Sequence, residues 1–238
     1  MALAVRPAAG ADLGQALRAM GLTTGVPTIV LVGGGATRAQ LDRLGPLLEK
    51  VVIPVTLETG GAVVDEGDAG GVGARLGEAS RAKQAQFPLV GVAAEHQAGS
   101  GDGLDSNHTH FVVVPADRPG WAARWTSSVA SALAGGHGSV ALLTGGGDAA
   151  WRSVAAQVAD GRRVLAVART GGAADHLAAA ARGNSADSRA GPLVASGQVL
   201  VADPSRGAAH LAEVLRQALD PPPAGGRPAA LGPGPGLR

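Results

Sequence analysis

The chain has 238 residues and contains no cysteine, which excludes disulfides, thiolate catalysis and cysteine-ligated zinc sites. Its 20 basic and 19 acidic residues leave a formal net charge of +1 without a lysine- or arginine-rich block, so nucleic acid is not an expected partner. No apolar run reaches the ~18–20 residues of a membrane helix, and residues 1–22 lack the pattern of a signal peptide. We therefore expect a soluble, cytoplasmic protein with no membrane partner.

Short apolar runs of buried-strand length alternate with segments of helical apolar spacing along most of the chain. Parallel strands need crossover connections that lay helices over the sheet, so this alternation predicts an α/β, Rossmann-like, doubly wound fold. We expect a mostly parallel sheet of about seven strands with helices on both faces. The predicted strands are residues 28–32, 62–64, 89–93, 111–114, 140–143, 164–168 and 199–202. The predicted helices are residues 39–50, 72–83, 121–133, 149–158, 173–181 and 208–219.

The composition favours one domain over residues 27–219, because 45% hydrophobic residues suffice for a sizeable core. Aromatic residues make up only 2%, so this core must be packed from alanine, valine and leucine. Residues 1–26 are interpreted as a lead-in to the domain. Residues 220–238 are rich in proline and glycine and cannot bury enough surface to offset the entropy of ordering, which predicts a disordered tail.

The first predicted strand runs into Gly33, Gly34 and Gly35, directly before a helix. Without Cβ atoms, such a turn lets backbone amides at a helix N-terminus approach a phosphate. The turn also resembles the start of a dinucleotide-binding fingerprint, but Arg38 occupies the place of the third glycine. We interpret it as the first of several candidate anion-binding turns.

The segment 51–59 has the β-branched residues of a strand, but its proline would remove a hydrogen-bond donor from a sheet. No turn separates it from the preceding helix. We expect a helix that ends near Gly60.

The second glycine turn is acidic, since Asp65 ends its strand and Glu66, Gly67, Asp68 and Gly71 follow before the next helix. These carboxylates would repel a phosphate unless they point away from it or bind a ribose or a cation.

The segment 95–109 is polar, rich in glycine and long for a loop in a compact domain, which is typical of a functional flap over a pocket. At its end, Asn107 and His108 are interpreted as hydrogen-bonding anchors. On a strand, His108 and His110 would share one face, but no further ligand completes a metal pair, so no metal site is expected.

Two more glycine turns follow the strands at 140–143 and 164–168. In the fourth turn, Arg169 and Thr170 offer a guanidinium fork and a hydroxyl beside helix N-terminal amides, a combination suited to phosphate. Any single glycine turn serves equally well as a simple connection, but four turns at one edge of a sheet favour binding. The candidate ligand-binding residues of these two turns are Thr144, Gly145, Gly146, Arg169, Thr170, Gly171, Gly172 and Asp175.

Motifs of known catalytic machinery are missing from the sequence. It contains no Gly-x-Ser-x-Gly elbow, no Walker lysine and no His-Glu-x-x-His motif. Binding is therefore favoured over catalysis, and no cofactor is expected besides the ligand itself.

Four stretches resemble a known family: GAVVDEGDAGGVGARLGEA at 61–79, LDSNHTHFVVV at 104–114, the strand and glycine turn at 140–147, and RTGGAAD at 169–175. Together they are similar to the SLOG superfamily of nucleotide-sensing Rossmann-like domains. The likeness is to its prokaryotic LSDAT branch, which is related to the N-terminal region of TRPM channels.

The resemblance implies binding of ADP-ribose or another NAD-related nucleotide derivative, without catalysis. Relatives in the wider superfamily cleave nucleoside monophosphates at the N-glycosidic bond, but their catalytic glutamate has no counterpart here. Glu66 and Asp68 replace a usual glycine and threonine, while Arg169 and Gly172 replace a usual glycine and arginine. These departures indicate an altered ligand or weakened binding.

Three hypotheses follow from the sequence. The first is a sensor whose turn amides hold the phosphates of a nucleotide-derived ligand, with added charge from Arg169. The second is a nucleotide N-glycosidase that uses Asp65, Glu66 or Asp68. The third is a structural module with a decayed pocket, which includes the case of a homo-oligomer.

Overall fold

A single sheet of eight parallel strands forms the centre of the molecule, in the order β1-β5-β4-β3-β2-β6-β7-β8. The computed structural model describes residues 2–7, 12–33, 38–100, 104–116, 120–184 and 186–220. The strands are β1 (Leu3–Val5), β2 (Thr28–Val32), β3 (Ala62–Asp65), β4 (Leu89–Ala94), β5 (His110–Val114), β6 (Ser139–Thr144), β7 (Arg163–Val167) and β8 (Val199–Ala202). The predicted Rossmann-like α/β class is confirmed.

The strand count differs from the prediction of about seven, because β1 lies in the segment interpreted as a lead-in. Leu3 pairs with His110 and Val5 with Val112, so β1 extends the parallel sheet beyond β5. Leu3 is 54% exposed. An edge strand of three residues has too little apolar sequence to stand out, whereas central strands such as β2 are buried throughout.

Helices cover both faces of the sheet, as predicted. One face packs against α1, α6, α7, α8 and α9, and the other against α2, α3, α4 and α10. The helices are α1 (Leu13–Ala19), α2 (Arg38–Leu47), α3 (Ile53–Glu58), α4 (Val72–Ala82), α5 (Glu95–Ser100), α6 (Trp121–Ala134), α7 (Asp148–Ala159), α8 (Gly172–Ala181), α9 (Ala190–Ala195) and α10 (Ala208–Leu219). No helix in the described part of the chain combines the length and apolarity needed to cross a bilayer.

The helical interpretation of 51–59 is confirmed. A π-helical segment, Leu48–Val52, joins α2 to α3, and the chain turns at Gly60 with a φ of 61°. Pro54 lies in the first turn of α3, where its missing N–H is tolerated.

The expected flap over residues 95–109 is wrong for the residues described. Residues 95–100 form α5, because the Gln97 side chain accepts a hydrogen bond from the Ala94 N–H at 2.8 Å and caps the helix start. Leu104 forms a bridge with Asp68, and Asp105 is buried. Leu104 and Asp105 therefore pack against the second glycine turn, where the Asp105 N–H also donates to the Gly67 carbonyl oxygen at 3.4 Å. The predicted tail, apart from Asp220, lies outside the described residues.

The strand order reverses at the centre of the sheet. From β2 the chain continues to β3 on one side, whereas the crossover through α6 returns from β5 to β6 on the other side of β2. In open α/β sheets, ligands bind outside the carboxyl ends of the strands at such a reversal point. The crevice is therefore expected above β2 and β6.

Candidate functional site

The glycine turns meet at one rim of the sheet, as expected for parallel strands. A Cβ placed on Gly33 would lie 2.8 Å from the Thr144 carbonyl oxygen, so the turns after β2 and β6 are in contact. The Gly145 N–H donates to the Thr170 hydroxyl at 2.8 Å, which joins the turns after β6 and β7. Glu66, after β3, accepts a hydrogen bond from Ser153 of α7 at 3.3 Å. Gly34 and Gly35 lie outside the described residues.

The amides of the second turn are already bonded to its own carboxylates. Asp65 accepts from the Gly67 N–H at 3.0 Å, and Asp68 accepts from the Gly70 N–H at 3.0 Å. Asp68 also lies against Gly71, where a Cβ would be 2.6 Å from its Oδ1. The N–H groups of Gly67 and Gly70 are therefore not open to a phosphate, because carboxylates within the turn already occupy them.

His108 lies between two carboxylates beneath the second turn. Its Nε2 is 2.7 Å from Asp65 Oδ1 and its Nδ1 is 2.8 Å from Asp105 Oδ2, while Asn107 donates to Asp105 at 2.9 Å. Burial alone would lower the pKa of His108, but hydrogen bonds to Asp105 and Asp65 outweigh it and raise the pKa to about 9. With a side chain 0% exposed and both ring nitrogens engaged, His108 anchors the loop and has no atom free for a ligand.

The fourth turn is also satisfied internally. Asp175, in the first turns of α8, accepts hydrogen bonds from the Arg169 N–H at 2.5 Å and from the Gly171 N–H at 3.1 Å, so its carboxylate is bonded to the turn before the helix. The Thr170 hydroxyl donates to the Val167 carbonyl at 2.6 Å. The expected free amides and hydroxyl are thus engaged within the protein. The Arg169 side chain remains 67% exposed and lies 3.4 Å from Asp203.

The turns after β6 and β7 pack closely against each other, and glycine residues make this contact possible. A Cβ on Gly172 would lie 2.2 Å from the Gly146 carbonyl oxygen, and Gly172 has a φ of 52°. The Ala173 N–H bonds that same carbonyl at 2.8 Å. Gly146 and Gly172 therefore hold the two turns together, and this contact explains glycine at position 172.

A cavity of about 560 Å³ opens at the carboxyl ends of β6 and β7. Its walls are α2 with the π-helical segment on one side and the start of α10 on the other. The predicted site residues that line it are Thr144, Gly145, Arg169, Thr170, Gly171 and Asp175. Those that line a separate crevice of about 20 Å³ are Gly33, Glu66, Asp68 and Gly71. Gly67, Asn107 and His108 line neither space.

Two cations of the cavity were missed by sequence reasoning. Arg43 and Lys50 lie seven residues apart, on α2 and in the π-helical segment, and both line the cavity. In the sequence they look like members of an ordinary solvated helix face. Their seven-residue spacing is the one available signal, since it corresponds to two helical turns on one face. With Arg169, they give the cavity three cations against one carboxylate, that of Asp175.

Thr144 has an unusual environment at the end of β6. Its side chain is 1% exposed, and its hydroxyl has no hydrogen-bond partner among the described residues. Buried polar groups are nearly always paired, because an unmade hydrogen bond costs about 1–3 kcal/mol. The hydroxyl oxygen is inaccessible to solvent and lies against Gly33, where a Cβ would be 2.8 Å from it.

Two acidic residues of the second turn, Glu66 and Asp68, have raised pKa values. Burial and the nearby Asp68 raise the pKa of Glu66, although Ser153 opposes the shift. Burial likewise raises the pKa of Asp68, against the hydrogen bond from the Gly70 N–H. Across the described residues, no group of three or more metal-ligating side chains is positioned to hold an ion.

Comparison with known proteins agrees with this architecture. The family model described as SLOG in TRPM, prokaryote, matches residues 26–213. The chain belongs to this SLOG family. No curated protein matches it.

Solved structures similar to this SLOG protein share its fold. The X-ray structure of TM1055 has a TM-score of 0.51 and 16% identity, over 80% of this chain and 98% of that one. The molybdenum cofactor carrier protein from Chlamydomonas reinhardtii has a TM-score of 0.50 and 16% identity, over 82% of this chain and 98% of that one. At this level of identity the likeness concerns the fold alone.

Proposed function

We propose that this SLOG protein binds an anionic, nucleotide-derived ligand, such as ADP-ribose or an NAD-related molecule, in the cavity above β6 and β7. The observation that carries the proposal is a cavity of about 560 Å³ whose lining includes the three cations Arg43, Lys50 and Arg169. The cavity lies at the sheet edge where open α/β proteins bind ligands, and its volume falls within the ~300–1,000 Å³ of small-molecule sites.

Membership of the SLOG family supports a nucleotide derivative as the ligand, and a role in sensing follows from the same resemblance. One structural neighbour is described as a cofactor carrier, which agrees with a fold used for binding. The proposed mode differs from the one expected from sequence. Side-chain cations hold the anion, while the amides of Gly67, Arg169 and Gly171 keep their internal partners.

A ligand panel tests the proposal by thermal stabilisation and calorimetry. A ligand at a hundred times its Kd is expected to add about 2.7 kcal/mol to the free energy of unfolding. ADP-ribose, NAD and AMP are the probes. Lys50→Gln removes one of the cations that line the cavity and is expected to weaken binding without lowering the ligand-free melting temperature. The proposal fails if all three probes leave the melting temperature unchanged.

A second candidate function rests on the raised pKa of Glu66. Burial raises the pKa of Glu66, and a raised pKa favours a carboxyl group as a general acid. In an N-glycosidase, water adds to C1′ of the ribose as the bond to the base breaks. Glu66 gives its proton to the leaving base and regains one from the attacking water.

Chromatography of AMP incubated with the protein tests this candidate. Hydrolysis predicts free adenine and ribose 5-phosphate, and Glu66→Gln is expected to lower the rate by about 100-fold or more. Glu58→Gln is the matched control, because Glu58 is exposed and forms an ion pair with Arg216, which is distant from it in the sequence. Intact AMP after prolonged incubation, or equal rates for both variants, would exclude a catalytic Glu66.

A further inference from the structure

The two edge strands of the sheet differ in how well they are protected from pairing with another chain. β1 has three residues and is followed directly by Arg6 and Pro7, and shortness, charge and proline are features that block edge-to-edge pairing. The stretch from Gly197 to Ala202, which contains β8, has neither a charged residue nor a proline. Among the described residues β8 pairs with β7 alone, so its outer edge is open.

The outer edge of β8 carries backbone groups without a partner strand. The Val164 N–H of β7 donates to the Gln198 carbonyl oxygen at 2.9 Å, which directs the backbone groups of the even-numbered residues towards β7. Backbone groups alternate in direction along a strand. The N–H and C=O groups of Val199 and Val201 therefore point away from β7.

The backbone groups just beyond these two residues are already engaged. The Gly197 N–H donates at 3.1 Å to a carbonyl oxygen of α9. The Asp203 carbonyl oxygen accepts at 3.2 Å from an N–H of the following 3₁₀ turn, Pro204–Arg206. The open part of the edge is thus limited to Val199 and Val201.

A second copy of β8 matches this short edge completely. When two copies run antiparallel and are centred on Leu200, Val199 of each chain faces Val201 of the other. Residues that face each other in this way exchange both of their N–H···O=C bonds, so the two pairs make four bonds. A register centred on Val199 or on Val201 instead would oppose the engaged groups at Gly197 or Asp203.

Apolar side chains at this edge are half-exposed on both faces of the sheet. The first three residues of β8 are only partly buried, whereas every residue of β2 is buried. Half-buried side chains of the neighbouring helices, Leu193 and Val194 of α9 and Ala208 of α10, pack against the same two core clusters as Val199 and Leu200. A stable interface buries about 800 Å² per partner, more than a four-residue strand alone provides. These helices supply additional apolar surface on each face.

The C-terminal segment of the chain is poorly suited to cover the same edge. It continues from Asp220, whose carbonyl oxygen accepts from Arg163 at 3.4 Å, at the end of β7 that adjoins the start of β8. Residues 221–238 contain six prolines and five glycines, and no stretch free of proline is longer than four residues. Proline cannot donate to a strand ladder and glycine weakens a strand. A second copy of β8 is therefore the better partner.

We propose that two copies of this protein associate through β8, antiparallel about a two-fold axis at Leu200, and join their eight-stranded sheets into one continuous sheet. The interface is isologous, because each chain contributes the same residues to it. It lies beside the cavity, since Pro204 and Ala208, which follow β8, line the cavity wall. The inference goes beyond the proposed function and does not depend on a ligand.

A single introduced cysteine tests the register, because the chain has none of its own. Leu200→Cys places two thiols across the axis in a non-hydrogen-bonded pair, with Cα atoms about 4.5 Å apart, within the ~4.4–6.8 Å that a disulfide spans. Mild oxidation is expected to give a linked dimer on a non-reducing gel. Ala4→Cys is the control at the other edge. The Leu3 N–H donates to the Thr109 carbonyl oxygen at 3.1 Å, so the next residue, Ala4, turns its backbone groups away from β5. Equal amounts of linked dimer from both variants would contradict the inference.

Light scattering over a concentration series measures association of the unmodified chain. The wild type is expected to approach twice the mass of one chain and to dissociate on dilution. Val201→Pro removes an outward N–H that β7 does not use, hence two of the four bonds, and is expected to weaken the dimer by about tenfold or more. Its melting temperature in dilute solution is expected to change little. Ala4→Pro removes an outward N–H from β1 and is expected to leave association unchanged.

Three results would overturn the inference. The first is a wild type that stays monomeric at every concentration, together with no linked dimer from Leu200→Cys. The second is a loss of association in Ala4→Pro as large as that in Val201→Pro. The third is a monomeric full chain that dimerises when residues 221–238 are deleted, because that segment then occupies the edge. If Val201→Pro does not fold, the comparison of Leu200→Cys with Ala4→Cys decides. None of these results bears on ligand binding in the cavity.

Discussion

At the scale of single residues, the acidic turn is held by an unusually close arrangement around α4. A Cβ on Gly73 would lie 1.4 Å from Asp65 Oδ2, and a Cβ on Gly77 would lie 2.5 Å from that of Asn107. Glycine inside a helix costs about 1 kcal/mol relative to alanine. Here that cost is offset by two contacts that no other residue allows, and both bring the helix against the turn that carries His108 and its partners.

The buried cluster of His108, Asp65 and Asp105 makes the free energy of unfolding depend on pH. The folded pKa of His108, about 9, lies above its ordinary value of 6.5, so its contribution is fully present below pH 6.5 and is lost as the pH rises through 9. The shift corresponds to about 3 kcal/mol. His108→Gln is therefore expected to lower the free energy of unfolding at pH 6 but to change it much less at pH 10.

Denaturant unfolding of wild type and variant across this pH range measures the difference. His137→Gln, at an exposed position, is the control and is expected to give curves parallel to those of wild type. Parallel curves for His108→Gln would show that the imidazole is not charged between Asp65 and Asp105. The lowered pKa of Asp105, which hydrogen bonds to His108 produce despite burial, adds a second loss of stability towards acid pH.

At the scale of elements, the central strands and most helices were predictable because each carries its own periodic signal. Val199–Ala202 forms β8 with the predicted bounds, and the helix through 51–59 followed from the absence of a turn. The α5 helix was missed because Ala94 stands where a capping box has Ser or Thr, so Gln97 gave no recognisable signature. β1 was missed because a strand of three residues is recognised mainly by its pairing with β5, which is distant in the sequence.

The candidate site was less predictable than the fold. The sequence places all four turns on one rim, since parallel strands end together. It does not show that the Asp175 carboxylate turns back onto the Arg169 and Gly171 N–H groups, because that depends on one side-chain rotamer. Nor does it bring Lys50 to the cavity, which requires α2 and its π-helical continuation to pack beside α10.

At the scale of the whole molecule, a buried arginine joins several elements at the amino ends of the strands. At the edge opposite the cavity, buried Arg162 donates to Ser139, Ser127, Gln157 and Ser131, which uses all five of its N–H groups. At the carboxyl edge, the hydroxyl of Thr144 has no partner among the described residues. Each end of the sheet therefore keeps one buried polar atom without a partner, since Gln157 Nε2, beside Arg162, has none either among the described residues.

The family match begins at residue 26, yet the packing shows that the preceding segment belongs to the same core. Leu17 of α1 is 0% exposed and lies in the core cluster that includes Val129 and Leu133 of α6. Leu17→Ala is therefore expected to lower the free energy of unfolding by about 2–5 kcal/mol, and Arg18→Ala, at an exposed position on the same helix, by much less. Deleting residues 1–26 is expected to lower the free energy of unfolding at least as much as Leu17→Ala does, because the deletion also leaves β5 as an exposed edge strand. Urea unfolding of the three variants measures these differences. If the deletion unfolds at the wild-type midpoint, the segment is a dispensable lead-in after all, and the domain begins at β2.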